Sequence, residues 1–136
     1  MPYTFINYHF IIFPKYYRSV FQKHSSPLYD VIEKRLNQIG CKPLAINGGD
    51  DHIHIVSEGS PLISPEDIVE DIWDFTKEWI ENTKSFPMFI GWEKNYVMWS
   101  LSTDETEEVK REIQNQKRFH RSSTLSMELR SKGIFI

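Results

Sequence analysis

The chain has almost no cysteine: Cys41 is the only one in 136 residues, so no intrachain disulfide can form. A reducing cytoplasm is the expected setting, with Cys41 a small buried hydrophobe. Long apolar runs are missing too. The stretch inside MPYTFINYHFIIFP is too short to span a bilayer, and neither a basic leader region nor a small-residue cleavage site accompanies it, so no membrane association is expected. There are no internal repeats or low-complexity tracts, which leaves one domain as the expectation for a chain that is 40% hydrophobic and 14% aromatic.

Positive charge is also scarce, with 16 Lys and Arg against 19 Asp and Glu and a formal net charge of -3. That sum argues against a uniformly basic nucleic-acid surface, but the distribution is uneven. Residues 64 to 108 carry three cations against twelve acids, whereas residues 109 to 136 carry seven against two. The basic end holds Lys110, Arg111, Lys117, Arg118, Arg121, Arg130 and Lys132, enough to neutralise several phosphates if they share a face, and otherwise a solvated helix and tail.

Hydrophobic periodicity sets the order of elements. Residues 4 to 13 are β-branched and aromatic, the pattern of a central strand buried on both faces, ended by Pro14. Ser26 and Pro27 open a helix whose apolar positions Leu28, Val31, Ile32, Leu36 and Ile39 recur at helical spacing up to Gly40. KPLAIN and HIHIV read as strands joined through Gly48, Gly49, Asp50 and Asp51. Ser64 and Pro65, with Asp67 three residues on, start a second helix with Ile68, Ile72, Phe75, Trp79 and Ile80 along its stripe. Residues 96 to 102 suit a fourth strand, and Thr103 is expected to cap a charged helix reaching about Arg121. The expected fold is α+β: a ferredoxin-like β-α-β-β-α-β antiparallel sheet with helices on one face and an additional C-terminal helix. Residues 1–121 form the expected domain and 122–136 a short C-terminal arm.

Within the third strand, alternation points Ile53 and Ile55 to one face and His52 and His54 together to the other. Two imidazoles at that spacing can serve as a metal pair, and histidines so placed on strands are also often ordinary side chains. Asp50 and Asp51 stand just before them; a carboxylate there can orient a ligating imidazole, or both can simply make the turn.

AINGGDDHIHIV resembles the HUH segment of the small single-tyrosine transposases of bacterial insertion sequences, the IS200-like family. YHFIIFPKYYR resembles that family's first strand and basic loop, the helix ending in KEWI its second helix, FIGWEKNYVMWSLS its Trp-x-x-x-Tyr strand, and EIQNQKRFH its C-terminal helix. Together these cover about residues 4 to 121. The resemblance implies an HUH transposase-like fold, a homodimer acting on single-stranded or hairpin DNA, and a divalent ion, Mg or Mn, held by His52, His54 and Gln116. It also implies a tyrosine that attacks the DNA phosphate and stays joined to the 5′ end.

That tyrosine is missing. It should stand one helical turn before Gln116, where this chain has Glu112, and no tyrosine occurs after Tyr96. A carboxylate repels the phosphate, and the acyl phosphate it would form hydrolyses instead of storing the bond. The expectation is a DNA-binding, metal-holding member of a transposition system that has lost covalent nicking, with Lys15, Arg18, Lys23, Lys117, Arg118 and Arg121 on the DNA and Tyr16, Tyr17 and Trp92 available to stack bases. The alternatives are a metal-dependent phosphodiesterase using activated water and a non-catalytic interaction module.

Overall fold

The strand β1 (Asn7–Ile12) is hydrogen-bonded on both sides and carries the rest of the sheet. The computed structural model describes residues 4–21 and 25–115. After β1 come α1 (Ser26–Gln38), β2 (Pro43–Gly49), β3 (His52–Glu58), α2 (Pro65–Thr83), β4 (Val97–Leu101) and α3 (Thr103–Gln114). The four strands lie in the order β2-β3-β1-β4, all neighbours antiparallel. This is the expected β-α-β-β-α-β arrangement with a further helix.

The near-continuous apolar run of β1 is explained by burial on both faces. Phe10 and Ile12 join Ile53 and Ile55 under α1 and α2, packed against Leu28, Ile32, Leu36, Ile68 and Ile72. Each such side chain stabilises the fold by about 1.5–3 kcal/mol through the water it sheds. The opposite face carries Ile11 and Phe13, also 1% exposed, against Tyr17, Val97 and Trp99. Between α1 and α2, Arg35 grips Asp71 through two bonds of 2.6 and 3.0 Å and lays its guanidinium 4.8 Å from the Phe75 ring centroid. The Asp71 hydrogen bond raises the Arg35 pKa, so this contact holds its charge firmly.

Local signals decide the ends of the helices. The Ser64 hydroxyl accepts from the Asp67 N–H at 3.1 Å, as the Ser-Pro start implies. Ser26, the expected cap of α1, is instead its first helical residue; Ser25 takes the cap position and donates its hydroxyl to the Phe21 carbonyl. Likewise Ser102, not Thr103, caps α3. The Ser102 hydroxyl accepts from the Glu105 N–H at 3.1 Å while the Glu105 carboxylate accepts from the Ser102 N–H at 3.0 Å. This reciprocal pair outcompetes Thr103 because it satisfies two helix-end donors at once.

The helices do not all share one face. α3 packs on the side opposite α1 and α2, where Ile113 and Val109 cover Ala45, Val56, Leu44 and Leu101. Only Thr106, Val109 and Ile113 give α3 an apolar stripe, and the exposed side of β2 and β3 is where that stripe finds apolar partners. That second face of the sheet is therefore partly covered. Nothing is described of the proposed helix extension to Arg121 or of the arm at 122–136, which lie outside the described residues.

Hydrogen bonding to the Ser102 backbone, then to its side chain, holds the Glu105 carboxyl below the ordinary glutamate range. Its contribution to α3 is full above that range and disappears as pH falls through the lowered value. Thermal melts should show Ser102→Ala losing about 1 kcal/mol at neutral pH. Glu105→Gln should remove the part of the acid sensitivity that this carboxylate causes.

Candidate metal and DNA site

Strand alternation places the two histidines as expected. His52 and His54 are 3% and 1% exposed, their ring centroids are 5.0 Å apart, and their planes are nearly perpendicular. Each ring is fixed through its Nδ1. The Asp51 carboxylate oxygen lies 2.7 Å from His52 Nδ1, so Asp51 orients an imidazole as well as making the turn. His54 Nδ1 lies 2.9 Å from Nε2 of His9, which is 4% exposed and stacks between His54 and Trp99 with centroids 5.1 and 5.0 Å away.

These bonds determine what the rings can do. For His54 to present a lone pair at Nε2, its Nδ1 must carry the proton and donate to His9, just as His52 Nδ1–H donates to Asp51. Both histidines then offer Nε2 as the coordinating atom, and the donor pair fits a divalent ion. The pair is not a complete set: among the described residues no group of three His, Cys, Asp or Glu could hold a metal. Gln116, the amide expected to complete the set, lies outside the described residues.

His9 carried no sign of this role in the sequence. Its position on the same face as Ile11 could be read from alternation, but its proximity to His54 follows from register: Ile11 pairs with His54 and His9 with Val56 and Trp99. No single-strand pattern encodes that register.

The helix end is tied to the same place. Asn47, opposite His54 in the β2–β3 ladder, donates its Nδ2 to the carbonyls of Ile113 at 3.0 Å and Gln114 at 3.5 Å. The last turn of α3 is thereby fastened to the strand that faces the imidazole. Glu112 stands on this turn and is exposed. The adjoining glycines are confined by the site. A Cβ at Gly48 would collide with the His52 carbonyl, and one at Gly49 would come within 2.8 Å of His52 Cε1.

The basic loop after β1 lies at the His52 end of the sheet. The N–H groups of Val20 and Phe21 both donate to the Asp50 carbonyl, at 2.9 and 3.0 Å, next to Asp51. On its other side Lys15 N–H donates to Gly91, and Tyr16 N–H to the Glu93 carboxylate. Lys15 and Arg18 are exposed, whereas Lys23, Lys117, Arg118 and Arg121 lie outside the described residues. The three aromatic residues considered for stacking divide. Trp92 is in the core with its indole N–H on the Thr76 hydroxyl, and Tyr17 packs edge-on against Phe13. Tyr16 alone of the three is largely exposed, at 63%.

Asn47→Ala should lower stability by about 1 kcal/mol through the lost bonds to the helix end. Hydrogen exchange should show the added opening concentrated in α3, with β1 and β3 retaining their protection.

A family model for IS200-like transposases matches residues 3–116. No curated protein matches. A solved structure of a protein from Deinococcus radiodurans R1, assigned there as a transposase, superposes with a TM-score of 0.65 at 20% identity, covering 85% of this chain and 95% of that one. A second, the REP-associated tyrosine transposase bound to a REP hairpin, superposes with a TM-score of 0.55 at 12% identity, covering 88% and 72%. At such identities the two structures establish the fold alone. The family model, spanning most of the sequence and including the strand that carries the histidine pair, establishes kinship: this chain belongs to the IS200-like transposase family.

Proposed function

We propose that the chain binds single-stranded or hairpin DNA within a transposition system, holds a divalent Mg or Mn ion, and no longer nicks DNA covalently. The observation that carries this reading is the pair of buried imidazoles whose Nδ1 atoms are held by Asp51 and His9. Such outer partners fix ring orientation and raise ligand basicity. His52, His54 and Gln116 would hold the ion, which when bound draws charge from a phosphate oxygen. The REP-hairpin complex of the structural relative supports a hairpin as the DNA form.

The chain's own residues set the limits of the reaction. Glu112 occupies the position expected for the family's nucleophile. A carboxylate there repels an incoming phosphate, and the acyl phosphate it would form would be lost to water. Lys15 and Arg18, with Lys23, Lys117, Arg118 and Arg121, would neutralise phosphates along the strand. The same reading takes residues 1–121 as the DNA-binding domain and 122–136 as an arm, in a cytoplasmic homodimer. Among the described residues no helix is long and apolar enough to cross a membrane.

Incubation with labelled hairpin-bearing single strands and manganese, followed by denaturing electrophoresis, tests the proposal. The unmodified chain should bind without forming an adduct, and Glu112→Tyr should form one. An adduct on the unmodified chain overturns the loss of nicking, and free 5′-phosphate ends would identify a hydrolase using activated water. Calorimetry should show His54→Ala weakening manganese binding by at least about ten-fold, in line with loss of a principal ligand or its support.

A further inference from the structure

The turn that follows β1 holds two consecutive tyrosines in the left-handed region, Tyr16 at φ 60 and Tyr17 at φ 54. Glycine or asparagine adopts this conformation at lower cost than an aromatic residue. Tyr17 has a packing reason to be there, since its ring seats against Phe13. Tyr16 has none: its ring stands in solvent while Phe13, Phe21 and Trp92 around the same loop are all buried.

The turn is nonetheless held rigid. Tyr17 N–H donates to Pro14, Lys15 N–H to Gly91, and Tyr16 N–H to Glu93, at 2.9, 2.9 and 3.1 Å. Strain kept in a braced loop, at a side chain with no role in the core, marks a position selected for what it presents outward. Two cations accompany the ring: Lys15 Nζ is 5.8 Å and Arg18 Cζ 5.6 Å from its centroid. An exposed aromatic ring with two exposed cations over it can take a nucleobase once those cations turn to the adjoining phosphates.

We infer that Tyr16 is a stacking platform for one base of the single strand that passes the His52–His54 pair, with Lys15 and Arg18 on the adjoining phosphates. The inference rests on the DNA-binding reading above and assigns it a specific contact. The bonds of Val20 and Phe21 to the Asp50 carbonyl fix the end of this loop beside the turn that leads into His52.

The test measures anisotropy with a hairpin bearing an oligothymidine extension and with the same hairpin whose extension is abasic. The unmodified chain and Tyr16→Phe should both prefer the thymidine form by about five-fold to a hundred-fold, the range of aromatic–base stacking. Tyr16→Gly should bind the two forms equally, with an unchanged salt dependence and a melting temperature that holds or rises because glycine relieves the backbone. A purely structural tyrosine would give the opposite pattern, a lowered melting temperature with the preference retained. Either that pattern or a Tyr16→Gly variant that still discriminates overturns the platform. Failure of the unmodified chain to bind either form overturns the DNA reading itself, and the platform with it.

Discussion

The pairing of β1 with β3 at the centre of the sheet is the constraint on which everything else in this protein depends. On one side it closes the apolar core through Phe10, Ile12, Ile53 and Ile55. On the other it sets His9 beside His54, so the same hydrogen-bonded ladder that stabilises the fold also orients the ring of a candidate ligand. A shift of one residue in that register would turn every side chain of β1 to the wrong face, exposing the core and separating the histidines together. Stability and site geometry are therefore a single requirement here.

Much of this was legible in the sequence wherever a local rule applies. The His-Ile-His-Ile alternation gave the face of each residue in β3, Ser64 with Pro65 gave the start of α2, and the order of apolar periods gave the succession of elements. The limits appear where two distant segments meet. His9 looked like any strand histidine until the β1–β3 register placed it, and Trp92 and Tyr16 were indistinguishable as loop aromatics until one was found beneath Thr76 and the other in solvent. The side on which α3 packs was unreadable for the same reason. Its short stripe of Val109 and Ile113 specifies that it packs, but the apolar residues Leu44, Ala45 and Val56 of β2 and β3 decide where.

The bonds from Asn47 link these two layers. An α-helix leaves its final carbonyls without partners, and here a strand side chain satisfies them. Because Asn47 lies opposite His54, the position of the α3 terminus is referred to the sheet and not to solvent. The last turn of α3, with Glu112 on it, is thus held at a defined place relative to the strand that carries His54.

Gly48 and Gly49 carry a consequence for how such a protein can diversify. With the His52 carbonyl and ring occupying the space where side chains would stand, the hairpin tip admits almost no chemical variety. Variation would fall more readily on Lys15, Tyr16 and Arg18 in the braced turn, whose side chains are exposed. The molecule thus sets a hairpin tip closed to substitution beside a turn whose outward side chains are open to it.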